Sequence, residues 1–129
     1  MNYYLNALKK YAVFSGRAQR AEFWYFHLFT ILIGIVLRII SWLVKDPIIF
    51  SGYHSLGLIY TLATIIPMIS VEIRRFHDIG KSGWWIFISL IPLVGPIWAI
   101  VLMMFDSQPG ANKYGPNPKE KQQDAMSVL

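Results

Sequence analysis

The sequence predicts an all-α fold: a polytopic membrane helical bundle with three hydrophobic segments and a short N-terminal amphipathic interfacial helix. Composition is the first reason, because 55% of the 129 residues are hydrophobic and only 15% are charged. Soluble domains have about 45–50% apolar and about 25% charged residues. Distribution is the second reason, since the apolar residues form long blocks and most charged residues lie between those blocks.

The three blocks cover about residues 23–44, 55–73 and 84–105. Each is long enough to cross a bilayer, because a helix needs roughly 20 mostly apolar residues to cross about 30 Å of hydrocarbon. The first block is interrupted only by His27 and Arg38 among ionisable residues, and the third contains none. Buried helices of a soluble protein are the alternative, but three of them in so short a chain would leave almost nothing to cover them.

The flanking segments complete a single integral-membrane domain over residues 1–119. Residues 1–14 predict an interfacial helix, with tyrosine, leucine and alanine on one side and asparagine and lysine on the other. Residues 106–118 contain three prolines and two glycines, a composition that disfavours a helix. The last segment, residues 120–129, is polar, and we expect it to be a mobile tail.

Each hydrophobic segment also carries a weakly polar face, whose residues fall in one sector at about 100° per residue. These residues are His27, Thr30, Gly34, Arg38 and Ser41, then Gly57, Tyr60, Thr61, Thr64 and Met68, and finally Ser89, Pro92, Gly95 and Pro96. Small and hydroxyl side chains allow helices to approach closely and to bond across the contact. We therefore expect these faces to pack together as a seam; a solute path along that seam is the alternative.

Lysine and arginine are distributed unevenly between the flanks of the segments. Residues 1–22 contain four, residues 74–83 contain three, and the loop after the first segment contains only Lys45. The positive-inside bias therefore predicts a multi-pass protein whose N-terminus and second loop, residues 74–83, lie in the cytoplasm.

The third segment could cross the membrane or turn back within it. Residues 92–96, Pro-Leu-Val-Gly-Pro, lie at its middle, and a hairpin there would return the tail to the cytoplasm. The two halves are too short to cross, however, and backbone at that depth would need shielding by protein. We therefore favour a kinked full span, which leaves the lysines of the tail outside.

Two charged stretches are expected to meet in one layer at the cytoplasmic surface. They are residues 16–24, which lead into the first segment, and residues 74–85, which form the turn between the second and third. Tryptophans in both stretches mark the headgroup level. One interpretation is a salt-bridged staple that ties three helix ends together. Its residues would be Glu22, Arg74, His77 and Asp78.

A second interpretation, compatible with the first, is a binding site for an anionic lipid headgroup. Arginine forks suit phosphate oxygens, and basic residues at the cytoplasmic surface attract anionic lipid. The candidate ligands are Arg17, Arg20, Arg75 and Lys81.

Other chemical interpretations of this layer are weaker. Residues 80–82, Gly-Lys-Ser, imitate the end of a phosphate-binding loop, but Arg75 stands where that loop has its first glycine. His77 and Asp78 are adjacent, so they rarely point at one metal ion, and no spaced ligand pair accompanies them. Glu22 and His77 could form an acid–base pair only beside a substrate pocket, which the sequence does not show. We expect no metal, no cofactor and no enzymatic activity.

Several motifs together resemble the DUF805 family. The matching elements are residues 14–24, the turn 74–85, the kink Ile-Pro-Leu-Val-Gly at 91–95, and the proline-glycine stretch 109–118. They cover about residues 3–119 in the family's order. One departure is Asn117, where the family often has Asp, and Lys81 is within the range that the family tolerates. The resemblance implies a small bacterial inner-membrane protein, like the YhaH-like members, with no established enzymatic activity.

These observations predict a non-enzymatic envelope protein whose cytoplasmic arginine layer engages anionic phospholipid headgroups or a membrane partner. The alternative is a subunit of an oligomeric small-solute transporter or channel that uses His27, Thr61, Thr64 and Ser89 of the seam. Three spans per chain would then require a homo-oligomer around the path. Nucleic acid is not an expected partner, because the basic residues flank apolar blocks and form no arm or stripe.

Overall fold

The computed structural model describes residues 2–50 and 53–129. The elements, in order, are α1 Tyr3–Lys9, α2 Arg20–Leu43, β1 Ile48–Phe50, β2 Tyr53–His54, α3 Ser55–Asp78, a 3-10 helix Gly83–Leu90, α4 Val94–Met104 and α5 Pro118–Ser127. The two short strands pair antiparallel within the connection between α2 and α3. The described chain is therefore a helical bundle, as the sequence predicts.

Helices α2 and α3 are both long and apolar enough to cross a membrane, with 24 residues each. Only 17% of the apolar window of α2 and 22% of that of α3 are buried inside the protein. Large apolar side chains project outward, such as Ile31 with 60% and Ile59 with 65% of its surface exposed. Apolar surface on this scale marks a membrane environment. The chain is a membrane protein, and these helices match the first two predicted segments.

The polar faces of α2 and α3 meet, as predicted. Between them lies a cavity of about 330 Å³ whose lining includes Thr30, Gly34, Gly57, Thr61 and Thr64. The hydroxyl group of Thr61 donates a 2.8 Å hydrogen bond to the carbonyl of Gly57, one turn earlier in the same helix. The hydroxyl of Thr64 likewise bonds within α3, whereas those of Thr30 and Tyr60 are buried without a hydrogen-bond partner among the described residues, so the two helices share a weakly polar contact surface.

Two of the four residues predicted for a solute path along this seam lie elsewhere. Neither His27 nor Ser89 is among the described residues that line the cavity. The ring Nδ1 of His27 instead bonds to the carbonyl of Phe23 at 2.9 Å. Ser89 belongs to the 3-10 helix, which packs against α3 outside this cavity. The predicted contribution of the third segment to the seam is therefore wrong.

Helix α1 is shorter than the predicted N-terminal helix, and Met1 lies outside the described residues. The backbone after Lys9 bonds to α3 instead of continuing the helix. The hydroxyl of Ser70 donates to the carbonyls of Lys10 at 3.0 Å and Val13 at 2.7 Å. These tertiary bonds compete with the next helical turn, so the helix ends early.

The third hydrophobic segment is a hairpin, so the prediction of a kinked full span is wrong. The 3-10 helix and α4 pack side by side and are joined by a turn at residues 91–93. Their approach requires glycine at position 95, because a Cβ on Gly95 would lie 1.9 Å from the carbonyl oxygen of Ile88. Each arm is about 16 Å long, roughly half the thickness of the hydrocarbon layer.

The tip of this hairpin satisfies much of its own backbone, which answers the physical objection to a turn at this depth. Pro92 and Pro96 have no N–H group to satisfy. The N–H groups of Ile91, Val94 and Gly95 donate to carbonyls within the hairpin at 3.1, 2.8 and 3.0 Å. The cost of polar backbone in hydrocarbon is therefore reduced by local bonds and by sequence.

After α4 the chain returns to the end of the bundle where α2 begins and α3 ends. The N–H group of Gln108 donates to the carbonyl of Asp78 at 2.8 Å. The segment before α5 lacks a helix, as its prolines and glycines predict. The polar tail, expected to be mobile, is instead helical in α5. The side chain of Asn117 caps this helix by accepting a 3.0 Å hydrogen bond from the N–H group of Lys119.

Candidate functional site: a buried arginine cluster

Five charged side chains lie together where α2 begins, α3 ends and the tail crosses them. They are Arg17, Glu22, Arg74, Arg75 and Asp78, and none is more than 7% exposed. We call this group the arginine cluster. Charged side chains are almost never buried to this extent unless they are paired. The partners of each member therefore determine what the cluster can do.

Asp78, the last residue of α3, is the centre of the cluster. Its carboxylate accepts hydrogen bonds from Arg17 Nε at 2.9 Å, Arg75 Nη1 at 2.7 Å and the hydroxyl of Ser107 at 2.6 Å. Charge-assisted bonds of this kind are stronger than bonds between neutral groups. One carboxylate thus joins the segment before α2, the end of α3 and the tail.

Arg17 fixes the tail against α3. Its Nη1 donates to the carbonyl of Gly110 at 2.7 Å, and its Nη2 donates to the carbonyls of Gln108 at 2.6 Å and Asp78 at 3.2 Å. These bonds, together with the Nε bond to the carboxylate, occupy every nitrogen of the guanidinium group. Arg17 therefore acts as a structural tie between three segments.

Arg75 has a similar role toward the end of α4. Its Nη2 donates to the carbonyls of Met103, at 3.1 Å, and of Phe105. Those carbonyls belong to the last turn of α4 and to the residue that follows it, where no intrahelical donor is available. Arg75 thus satisfies the end of the hairpin while its Nη1 pairs with Asp78.

Arg74 forms a separate ion pair with Glu22 in the first turn of α2. The distance from Arg74 Nη1 to the carboxylate of Glu22 is 2.6 Å. The Nε and Nη2 atoms of Arg74 are buried without a hydrogen-bond partner among the described residues. The cluster holds three arginines and two acids, and Asp78 pairs with Arg17 and Arg75. Glu22 is therefore the acid that compensates the buried charge of Arg74.

The four residues predicted to bind a headgroup have different environments. Arg17 and Arg75 are buried and bonded to the protein. The side chain of Arg20 is 45% exposed and lies 3.5 Å from Asp106. Lys81 is half-buried, with its Nζ 4.3 Å from the ring centre of Trp85. Of the four, only Arg20 and Lys81 are therefore accessible to a molecule outside the protein.

Three of the four residues predicted as the staple belong to the arginine cluster, and His77 lies beside it. The Nδ1 atom of His77 is 3.0 Å from the carbonyl of Gly16. Its ring stacks on Tyr114 with centroids 3.9 Å apart and planes 2° apart. Within the described residues, no group of three or more histidine, aspartate or glutamate side chains could hold a metal ion.

Sequence reasoning missed the contribution of the tail. The tail supplies the Ser107 hydroxyl and the carbonyls of Gln108 and Gly110, which all bond to the cluster. Backbone acceptors have no signal in side-chain chemistry, so charge patterns could not identify them. The proline-glycine stretch 109–118 gave the one available signal, because it predicts a turn that could present carbonyls.

Asp106 forms a group of charged residues at the surface next to the arginine cluster. The carboxylate of Asp106 accepts a 2.8 Å hydrogen bond from the ammonium group of Lys119 and lies near Arg20. The bond from Lys119 is the main reason why the pKa of Asp106 is below its ordinary value, and the N–H group of Ser107 adds to the effect. The tail thus also carries charge pairs that solvent reaches.

The DUF805 family, described as a protein of unknown function, matches residues 11–116. The chain belongs to the DUF805 family. The matched range includes every residue of the arginine cluster and the whole hairpin. In Escherichia coli K12, the inner membrane protein YhaI is 36% identical over 121 residues, which cover 92% of this chain and 97% of YhaI.

A second relative is similar over nearly the whole length of both chains. The inner membrane protein YhaH of Escherichia coli K12 is 37% identical over 123 residues, which cover 92% of this chain and 98% of YhaH. No solved structure matches this DUF805 chain at a significant level.

Proposed function

We propose that this DUF805 protein is a non-enzymatic, multi-pass protein of the bacterial inner membrane whose basic cytoplasmic face engages anionic phospholipid headgroups. The hairpin is the observation that carries the proposal. Because the hairpin returns the tail to the start of α2, ten of the twelve lysines and arginines belong to segments at that end of the bundle. Only Arg38 and Lys45 belong to the other end.

This distribution supports a cytoplasmic location for the N-terminal segment and the tail. The positive-inside bias applies to short flanks next to membrane segments, and these flanks contain nearly all of the basic residues. The printed names of YhaI and YhaH, both inner membrane proteins, support the same membrane. With a kinked full span, the tail lysines would have contradicted the bias; with the hairpin they agree with it.

The lipid contact is proposed for the exposed cations and not for the arginine cluster. The cluster uses its three arginines internally, whereas several other cations reach the surface. At the end of the bundle that carries the cluster, the exposed ones are Lys9, Lys10, Arg20, Lys113 and Lys121. Each cation at a membrane surface contributes about 1 kcal/mol toward anionic lipid. The 77% exposure of Trp84 at the start of the 3-10 helix is typical of a side chain at the headgroup level.

Native mass spectrometry of the purified protein tests this proposal. We expect it to retain phosphatidylglycerol or cardiolipin in preference to phosphatidylethanolamine. Replacing Lys10 and Lys113 by glutamine should weaken that preference by roughly thirtyfold at most, from about 1 kcal/mol per cation. Replacing Arg38 and Lys45 by glutamine is the matched control and should leave it unchanged. Equal retention of the lipids by the wild type, or equal effects of both pairs, would contradict the proposal.

A transporter or channel subunit is the second candidate, and the cavity between α2 and α3 is the observation in its favour. Arg38 and Thr61 line that cavity, and a charged side chain within a span can mark a solute path. A path of this kind would need several chains around it. Crosslinking in native membranes distinguishes the two, because a chain that remains a monomer cannot enclose a path.

A further inference from the structure

An apolar groove of about 630 Å³ lies between α3 and the 3-10 helix. Its walls include Ile69 of α3 and Ile86, Phe87 and Leu90 of the 3-10 helix. From Ile69 to His77 the groove follows α3 for about 12 Å, at a rise of about 1.5 Å per residue. That length is close to one leaflet, which is half of about 30 Å of hydrocarbon. The groove therefore has the dimensions and polarity for an acyl chain.

The groove becomes polar at its cytoplasmic end, where His77, Ser82 and Gly83 line it. His77 is only 9% exposed, and its Nδ1 lies 3.0 Å from the carbonyl oxygen of Gly16. A carbonyl oxygen can only accept a hydrogen bond, so Nδ1 carries the proton. In the neutral ring, the Nε2 atom is then an acceptor.

The acceptor atom points toward the groove. A Cβ built on Gly83 would lie 3.5 Å from Nε2 of His77. No described residue donates a hydrogen bond to Nε2, while the stack on Tyr114 holds the ring in place. Since Nε2 is accessible from the groove and accepts no bond from the described residues, an occupant of this end that carries a donor can bond to it.

We propose that the groove holds one phospholipid of the phosphatidylglycerol class, with an acyl chain along its apolar walls and a headgroup hydroxyl donating to His77 Nε2. Lys81 directly precedes Ser82 at the polar end and supplies a positive charge for the lipid phosphate. The excess of cations at this end of the bundle complements the same phosphate. This inference rests on the proposed function and deepens it, because it names the lipid and its position.

A comparison of two lipids with equal charge tests the hydrogen bond to His77. Phosphatidylglycerol and phosphatidylmethanol with the same acyl chains are titrated into the full-length protein in detergent, and native mass spectrometry counts the bound lipid. The wild type should bind phosphatidylglycerol roughly two- to tenfold more tightly, as expected for one hydrogen bond. His77→Phe keeps a ring to stack on Tyr114 but has no acceptor, so it should bind both lipids equally. Equal binding by the wild type would overturn the inference.

A second pair of variants tests the groove without touching His77. Ile69→Trp fills the groove and should remove the tightest phosphatidylglycerol site. Ile66→Trp is the control, because Ile66 is on the same helix and 43% exposed but does not line the groove. If Ile69→Trp retains the lipid while loss of Lys10 and Lys113 removes it, the groove inference is wrong and the basic-face proposal stands. Retention by all of these variants would overturn both.

Discussion

The ion pair between Glu22 and Arg74 gives the sharpest stability prediction. The two side chains are 2.6 Å apart, Arg74 is fully buried and Glu22 is 7% exposed. Glu22→Gln removes the only charge that pairs with Arg74 in the described part of the chain, and breaking a buried pair costs about 3–5 kcal/mol. Glutamine keeps an acceptor oxygen at that position, so we expect a loss near the lower limit, about 3 kcal/mol. A loss of this size is a large fraction of a typical stability of about 5–15 kcal/mol.

A double-mutant cycle identifies the partner. Glu22→Gln combined with Arg74→Gln should lose less stability than the sum of the single changes, with an interaction energy of about 1–3 kcal/mol. Arg75→Gln is the matched control, because the Arg75 side chain pairs with Asp78. Its cycle with Glu22→Gln should be additive within about 0.5 kcal/mol. Unfolding in detergent micelles measures both cycles. Coupling of Glu22 to Arg75, with additivity toward Arg74, would refute the assignment.

Three further perturbations follow from the same structure. Asp78→Asn leaves two buried guanidinium groups without their carboxylate, and unfolding measurements should show a loss of at least about 3–5 kcal/mol. Gly95→Ala should cost about 1–3 kcal/mol in the same assay because its Cβ meets the facing backbone, whereas Gly34→Ala, with open space around it, should be neutral or stabilising. The pKa of Asp106 is lowered in the folded state, chiefly by Lys119. Its stabilisation is therefore present above the unfolded pKa of about 3.9 and is lost as the pH falls through the folded value, so the melting temperatures of wild type and Asp106→Asn should converge at low pH.

Each of these three has an outcome that would contradict it. Unchanged stability in Asp78→Asn would mean that the two arginines find other partners. Equal effects at Gly95 and Gly34 would mean that the two arms of the hairpin are not in close contact. A difference between wild type and Asp106→Asn that persists at about pH 2 would mean that the carboxylate does not titrate as its surroundings require.

Hydropathy predicts the two helices whose length is set by the thickness of the bilayer. Helices α2 and α3 agree with the first two apolar blocks, since a span of fixed thickness requires a minimum apolar length. The third block satisfies the same criterion and is nevertheless a hairpin. Gly95 allows close packing of its arms, and two prolines remove N–H donors at its tip. An average of hydropathy over a segment detects neither the glycine nor the prolines.

The charged layer could be located from the sequence, but its pairings could not. Tryptophans and clustered arginines identify the layer, and Glu22 is visible as one of its few acids. The choice between Arg74 and Arg75 as its partner depends on the rotation of α3, which neighbouring positions in a sequence do not reveal. The central role of Asp78 depends in part on Ser107, which is 29 positions away and is brought back only by the hairpin.

The side of the membrane occupied by the tail tests the hairpin and the basic face together. The chain has no native cysteine, so single cysteines can be introduced at Lys45, Lys81 and Lys121. In intact cells, an impermeant thiol reagent should label only position 45, because the hairpin keeps position 121 on the same side as position 81. Labelling of position 121 together with position 45 would mean that the third segment crosses the membrane and would contradict the account.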